Sequence, residues 1–288
     1  MKYAFIEAQR ASFGLEGMCR VLEVSRSGFY DWKRRQGVTA PRKKRQQERD
    51  ACVAAAFTAS KQRSGAPRLT VELKDEGIHA NRKTIADSLQ RQQLRAKAGA
   101  KFKATTNSNH NLPVAPNLLD RDFFAADTNQ KYVGDITYLW TDEGWLYLAV
   151  FIDLFSRKVV GWSISERMTS ELVCDALTMA MMTRGNPCNV IVHTDRGAQY
   201  CSRKFQDLLK SHDLRSSMSR KGNCWDNAVS ESFFHSLKVE EIYGNRFETR
   251  EKMRHAIFEY IEVYYNRKRL HTANGYLSPS AFEAQKVA

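Results

Sequence analysis

Residues 132–164 read YVGDITYLWTDEGWLYLAVFIDLFSRKVVGWSI, and the fold turns on this stretch. Tyr132–Trp140, Leu146–Leu154 and Lys158–Ile164 are dense in β-branched and aromatic residues, and Asp142-Glu143-Gly144 supplies a turn between the first two. Three successive antiparallel strands are the simplest reading. Downstream the pattern alternates: a helix over Ser170–Thr183, a short buried strand at Val190–His193, a helix near Arg203–Ser211, a strand at Leu214–Met218 and a helix over Asp226–Glu240. Hairpin strands followed by alternating helix and strand predict an α/β domain, a mixed five-stranded sheet with flanking helices. Beyond it, Met253, Ala256, Ile257, Tyr260, Ile261 and Tyr264 form the apolar stripe of a last helix.

Upstream the chain is helical. Leu15–Arg35 reads as two short helices joined by Val24-Ser25-Arg26-Ser27-Gly28, where a buried valine and a serine N-cap make the turn of a helix-turn-helix. In that reading Ser25, Arg26, Ser27, Lys33 and Arg34 face DNA; a plain helical hairpin fits the same residues. A second helical unit lies between Gly65 and Lys97, with Leu69, Leu73, Ile78, Ile85 and Leu89 near helical spacing, a break at Gly77 and a new helix from Asn81. Its last helix presents Arg82, Lys83 and Arg91, which suit either a duplex backbone or a solvated surface. Residues 98–116 have linker composition. The expected divisions are 1–50, 51–112, 113–240 and 241–288.

Charge follows the same division. Residues 1–112 hold 23 Lys and Arg against 10 Asp and Glu and so carry the whole net charge of +13, whereas residues 113–288 hold 22 of each. A field of that sign collects a polyanion, so double-stranded DNA is the expected partner of the first part. The six cysteines form no C-x-x-C pair, which argues against a zinc knuckle or redox motif, and they read as reduced thiols. No run of 18 apolar residues occurs, so no membrane is expected and a cytoplasmic location is.

Three acids stand at motivated positions. Asp135 lies inside the first strand, Asp195 ends the strand Val190–Thr194, and Glu231 lies one turn into the helix near Asp226, sharing its face with Asn227, His235 and Lys238. Convergent carboxylates repel unless a divalent cation compensates them, and magnesium takes such oxygen ligands. Two ions would activate an attacking oxygen and stabilise a leaving one at phosphorus. The same acids also read as surface acids and helix salt bridges, and Asp153 is a rival ligand. Tyr200 has no Arg-His-Arg cluster beside it and reads as a structural or positioning residue rather than a nucleophile. His193 is a candidate for touching metal or phosphate, or for packing.

Gly134–Tyr138, His193–Tyr200 and Asp226–Phe234 resemble the three catalytic blocks of the DDE transposases related to retroviral integrases, with 59 and 35 residues between successive acids. Ser25–Trp32, Gly65–Leu69 and Tyr265–His271 are similar to blocks of the IS-three family of bacterial insertion sequences, product of the second reading frame. The resemblance implies an RNase H-like core, a polynucleotidyl transferase using two magnesium ions (manganese substituting), cleavage at terminal repeats and strand transfer by a 3′ hydroxyl. It further implies Asp135, Asp195 and Glu231 as catalytic metal ligands, Lys238 near the DNA end, positioning roles for His193, Tyr200 and Asn227, and a homo-multimer bound to the nucleoid. Partnership or fusion with the upstream-frame protein also follows from it. The alternative is a DNA-binding regulator or accessory factor without strand transfer.

Overall fold

The computed structural model describes residues 1–36, 41–97, 112–220 and 227–287. The chain forms two compact units, Met1–Arg95 and Ala96–Ala288.

The second unit is built on a five-stranded sheet in the order β3-β2-β1-β4-β5. Strands β1 (Lys131–Thr141), β2 (Gly144–Asp153) and β3 (Val159–Ser165) form an antiparallel meander. Strands β4 (Ile191–Thr194) and β5 (Arg215–Met218) run parallel to β1 and to each other, respectively, so the sheet is mixed as expected. Because side chains alternate across a strand, each sequence run feeds two cores. Tyr132, Ala149, Phe151 and Val192 pack with Leu172, Leu177, Tyr200 and Phe205 on one face. Val133, Leu148, Val150 and Ile152 pack with Phe233, Leu237, Ile257 and Tyr260 on the other. The first face is covered by helices α7 (Ser170–Thr183), α8 (Ala198–Cys201) and α9 (Arg203–Ser211), the second by α10 (Ala228–Leu237) and α11 (Arg250–Phe258).

Two glycines let these layers close. A Cβ on Gly134 would collide with the ring of Phe151, its cross-strand partner, and one on Gly161 would run into the α7 backbone at Ala176 and Ala180. Since backbone cannot swing aside as a side-chain tip can, Gly161→Ala is expected to cost about 1–3 kcal/mol, or more where α7 cannot shift. Urea denaturation measures it; an unchanged midpoint would contradict this packing.

Both sheet edges are blunted, which guards against edge-to-edge pairing. On β3 the Asn266 amide mimics a neighbouring strand, its Oδ1 accepting from Val159 N at 3.0 Å and its Nδ2 donating to Val159 O at 2.9 Å. On β5, Met218 N donates to Pro116 O at 3.3 Å and the Ser217 hydroxyl accepts from Leu118 N at 2.9 Å.

In the first unit, α1 (Lys2–Gln9), α2 (Leu15–Val21) and α3 (Arg26–Arg35) pack around Ile6, Met18, Cys19 and Phe29. Ser25 caps α3 by accepting from Gly28 N at 3.0 Å, and a Cβ on Gly28 would collide with the Tyr3 hydroxyl. Helices α4 (Pro41–Ala59), α5 (Ala66–Asp75) and α6 (Arg82–Arg91) contribute Val53, Phe57, Leu69, Leu73, Ile85 and Leu89 as buried residues. Gly77, at φ +82°, makes the turn after α5, and Asn81 caps α6 by accepting from Thr84 N at 2.8 Å.

Several expectations need correction. The basic run from Pro41 opens the 19-residue helix α4, so a boundary at 50/51 cuts through a helix. Likewise 240/241 falls inside the π-helical turn Lys238–Ile242, and α11 shares a core with the sheet, so no separate tail begins there. The last predicted helix is α11 continued as a π-helix over Glu259–Tyr265. Helices α1, α8 and α12 (Pro279–Val287) were not anticipated; α8 is a single turn, too short to show periodicity. Asp226, Cys224 and most of the expected 98–116 linker lie outside the described residues. The five described cysteines are free thiols, and no helix among the described residues is long and apolar enough to cross a membrane.

Candidate active site

Strand register brings the first two acids together. The β1–β4 pairing sets Val133 against His193, and Asp135 and Asp195 each follow two residues later. The ladder stops there and Asp195 follows the last residue of β4, Thr194; the charge of Asp195 acts on Asp135, which places the two carboxylates near one another at the end of the β1–β4 pairing. Asp135 is opposite Val150, a residue of the sheet face covered by α10. Its only described hydrogen bond comes from Ile136 N to Oδ1 at 2.8 Å, and Asp195 Oδ1 accepts from Gly197 N at 2.8 Å. Glu231 stands exposed in the first turn of α10, flanking the stripe of Ser230, Phe233, Phe234 and Leu237 that is buried, and its charge acts on Asp135.

Electrostatics record the proximity. Burial pushes the Asp135 carboxyl well above the usual range, and the charges of Asp195 and Glu231 push it further the same way. Burial also raises Glu231. Mutual repulsion among neighbouring carboxylates is the donor chemistry that a hard divalent cation satisfies. Among the described residues, no three such side chains form a ready-made metal group.

The flanking residues take distinct parts. His193 is fully buried, its Nδ1 2.8 Å from Ser217 Oγ on the adjacent strand. Tyr200 is 1% exposed; its hydroxyl has no hydrogen-bond partner among the described residues, and burial, then Asp135 and Asp195, raise it well above the usual phenol range. A buried, protonated phenol is no nucleophile, which agrees with a positioning or packing part. Asn227 opens α10 with its Oδ1 buried and unpartnered among the described residues. Asp153 is 0% exposed and holds Asn129 N, Phe155 N and Arg184, so this rival ligand is engaged at the far end of β2.

Lys238, at the end of α10, is 5% exposed and stands 4.9 Å from the ring centre of Tyr138. Burial lowers its ammonium to about 8, opposed by attraction to Asp135. Its positive charge is thus lost as pH rises through about 8. If Lys238 grips a DNA phosphate, affinity for a DNA end measured without divalent metal falls between pH 7 and 9. Lys238→Arg should flatten that profile, because guanidinium stays charged; an identical slope in the variant excludes Lys238 as the titrating group.

The residues expected on DNA are less uniform. Ser25, Arg26 and Ser27 are exposed at the start of α3, and Ser25 is spent as its N-cap. Lys33 pairs with Glu7 at 2.7 Å, Arg34 with Asp31 at 2.7 Å and Arg91 with Asp50 at 2.7 Å. Arg82 and Lys83 are exposed in the first turn of α6. A buried ion-pair network against α10 was not foreseen. Arg269 donates to both carboxylate oxygens of buried Glu240 and to Ser236 of α10, while the Tyr260 hydroxyl donates to Glu240 at 2.9 Å. Arg269 lay within the quoted 265–271 block, but no spacing rule links it to a partner 29 residues away.

Comparison with known proteins agrees with this architecture. Integrase core domain models match residues 125–224 and 231–287, and an HTH-like domain model matches residues 42–102. That last match falls on α4–α6, the second helical unit, rather than on the α2–α3 turn. The chain is 58% identical over 288 residues to Transposase InsF for insertion sequence IS3A of Escherichia coli (strain K12), covering 100% of both chains. It is 43% identical over 265 residues to the Insertion element IS600 uncharacterized 31 kDa protein of Shigella sonnei, covering 92% of this chain and 97% of that one. Among solved structures, a simian T-cell lymphotropic virus intasome in complex with PP2A regulatory subunit B56 gamma matches at 19% identity and TM-score 0.48, over 80% of this chain and 74% of that one. An HTLV-2 integrase catalytic core domain in complex with magnesium matches at 18% identity and TM-score 0.42, over 56% and 99%.

Proposed function

This chain belongs to the IS3 family of insertion-sequence transposases, DNA transposases built on an integrase core, and from that premise we propose that Asp135, Asp195 and Glu231 are its catalytic acids. The observation that carries the proposal is the parallel β1–β4 pairing, which ends two residues before both Asp135 and Asp195, with the charges of Asp195 and Glu231 acting on Asp135. These three side chains would hold two magnesium ions, with manganese as a substitute; when bound, such ions activate the attacking oxygen and stabilise the leaving oxygen at phosphorus. The chain's own share is placement. β1 and β4 fix two acids on rigid backbone, α10 brings the third, and Lys238 presents an ammonium to the DNA end. His193 holds the end of β4 to β5 through Ser217, Tyr200 packs beneath the acids, and Asn227 begins the helix that carries Glu231.

The reaction is cleavage at the element's terminal repeats followed by attack of the freed 3′ hydroxyl on target DNA, in the bacterial cytoplasm. The basic first unit holds double-stranded DNA, with Arg82 and Lys83 on α6 the best placed of the expected contacts. Bringing two ends together calls for a homo-multimer, and joining to the upstream-frame protein would complete end recognition.

Fluorescent terminal-repeat DNA incubated with the chain, alone and fused to the upstream frame, tests this. The expected products are a nick at the element end and a joined strand, both requiring Mg²⁺. DNA binding with no joining from pre-nicked 3′-hydroxyl ends, in either form, would overturn the enzyme reading in favour of a DNA-binding regulator.

A further inference from the structure

We propose that Trp140 and Trp145, paired across the β1–β2 hairpin, form a stacking platform for nucleobases that leave the duplex at the DNA end beside the catalytic acids. The inference rests on the assignment of Asp135, Asp195 and Glu231 to the chemistry.

Tryptophan is costly to leave in water, yet these two are 55% and 44% exposed. They are direct cross-strand partners with ring centroids 4.8 Å apart and an interplanar angle of 71°. Trp145 also meets Tyr138 edge-on at 5.3 Å, so three rings run continuously along the hairpin. The rings lie on the face of β1 opposite to Asp135, and the link to the acids is at the Tyr138 end: the Lys238 ammonium lies 4.9 Å from the Tyr138 ring centre and interacts electrostatically with Asp135.

The hairpin is held rigid. Thr141 Oγ1 donates to Gly144 O at 2.7 Å, Asp142 N donates to Phe247 O at 3.0 Å, and Glu143 accepts from Arg250 N at 2.7 Å. Of the turn's two acids, Asp142 is offset by Arg246 at 2.8 Å, which lessens its repulsion of phosphate.

Exposed rings, a neighbouring cation and a fixed backbone are what an unpaired base requires, since every base offers a π-face and stacking tolerates any sequence. A duplex keeps its bases stacked on each other, so the platform selects frayed or extruded nucleotides. At about 3.3 Å per strand residue, Tyr138 and Trp140 lie roughly 10 and 17 Å along β1 from Asp135. At the duplex spacing of about 3.4 Å per nucleotide the tryptophan pair corresponds to roughly five nucleotides from the reacting phosphate, and to fewer where the frayed strand is extended.

The test uses the full chain carrying Asp195→Asn, so that DNA is bound without being consumed, and terminal-repeat DNA with 2-aminopurine at each of the last eight positions. Quenching is expected at positions three to five. It should be lost in Trp140→Leu and Trp145→Leu and kept in Trp140→Phe and Trp145→Phe, a split that a merely apolar role would not produce. Affinity for frayed ends should fall about 10- to 100-fold in the leucine variants, with internal duplex binding nearly unchanged. Equal losses in the leucine and phenylalanine variants, equal losses on internal duplex DNA, or a changed sedimentation profile with intact end binding would each overturn the platform. In otherwise wild-type protein, unimpaired joining by Asp135→Asn would reject the acid site while the quenching pattern judges the platform separately.

Discussion

Asp135→Asn is expected to reduce Mg²⁺-dependent strand joining by at least about a thousandfold, because a metal site supplies several kcal/mol of transition-state stabilisation and each 1.36 kcal/mol is tenfold in rate. The same loss is expected of Asp195→Asn, and a joining rate within a few-fold of wild type in either variant would sink the assignment. A second readout separates chemistry from folding. The Asp135 carboxyl is held above its unfolded value by burial and by its acidic neighbours. The stability associated with its protonated form is therefore fully present below about pH 4 and lost as pH rises through the elevated value. Above the unfolded value, folding must either take up a proton at Asp135 or bury its charge, so the metal-free site subtracts from stability at neutral pH. Asp135→Asn should then melt at or above the wild-type temperature without metal at pH 7.5, with no such advantage near pH 4. Magnesium at about ten times its Kd should stabilise the wild type by about 1.4 kcal/mol, roughly 3–6 °C for a unit of this size, and leave the variant unmoved.

Arg269→Ala should be the most damaging substitution outside the acids. Burial disfavours the guanidinium, but the hydrogen bonds and charge of Glu240 hold it more firmly protonated than an ordinary arginine. Side-chain exposures of 8% and 7% leave no water to replace either partner. Removing one member strands a buried charge, at a cost of about 3–5 kcal/mol, or roughly 6–20 °C in Tm. Replacing both, as in Arg269→Met with Glu240→Leu, should cost less than Arg269→Ala alone, since no unpaired charge is left. Thermal denaturation of the two single variants and the double closes the cycle; additive losses would mean that the pair does not act as a unit. Because Arg269 also holds Ser236 of α10, a milder Arg269→Lys should lower the turnover of joining more than the affinity for DNA.

Much of the fold was legible locally. The five strands and the helices between them follow from runs of β-branched and aromatic residues, turn signals and apolar periodicity, all of which act over a few neighbouring residues. Element type survived where ends did not: the 226–240 helix changes to π-helical winding at Lys238, and the basic run from Pro41, which reads equally as a linker or as the start of a solvated helix, opens α4. The DNA-facing residues were the least legible, since a basic side chain has the same letter whether it is solvated or, like Arg91 with Asp50, spent on an internal ion pair.

The three acids show where the boundary lies. Their identity and the element each belongs to are readable from the letters, because a charge within a strand or at a strand end is conspicuous among apolar neighbours. Their nearness appears only on folding, where the parallel β1–β4 pairing ends two residues before both Asp135 and Asp195 and α10, which carries Glu231, covers the sheet face of Val133 and Val150. Register and face are set by packing between residues tens of positions apart, through contacts such as Gly134 against Phe151 and Arg269 against Glu240, and those energies leave no periodic trace along the chain.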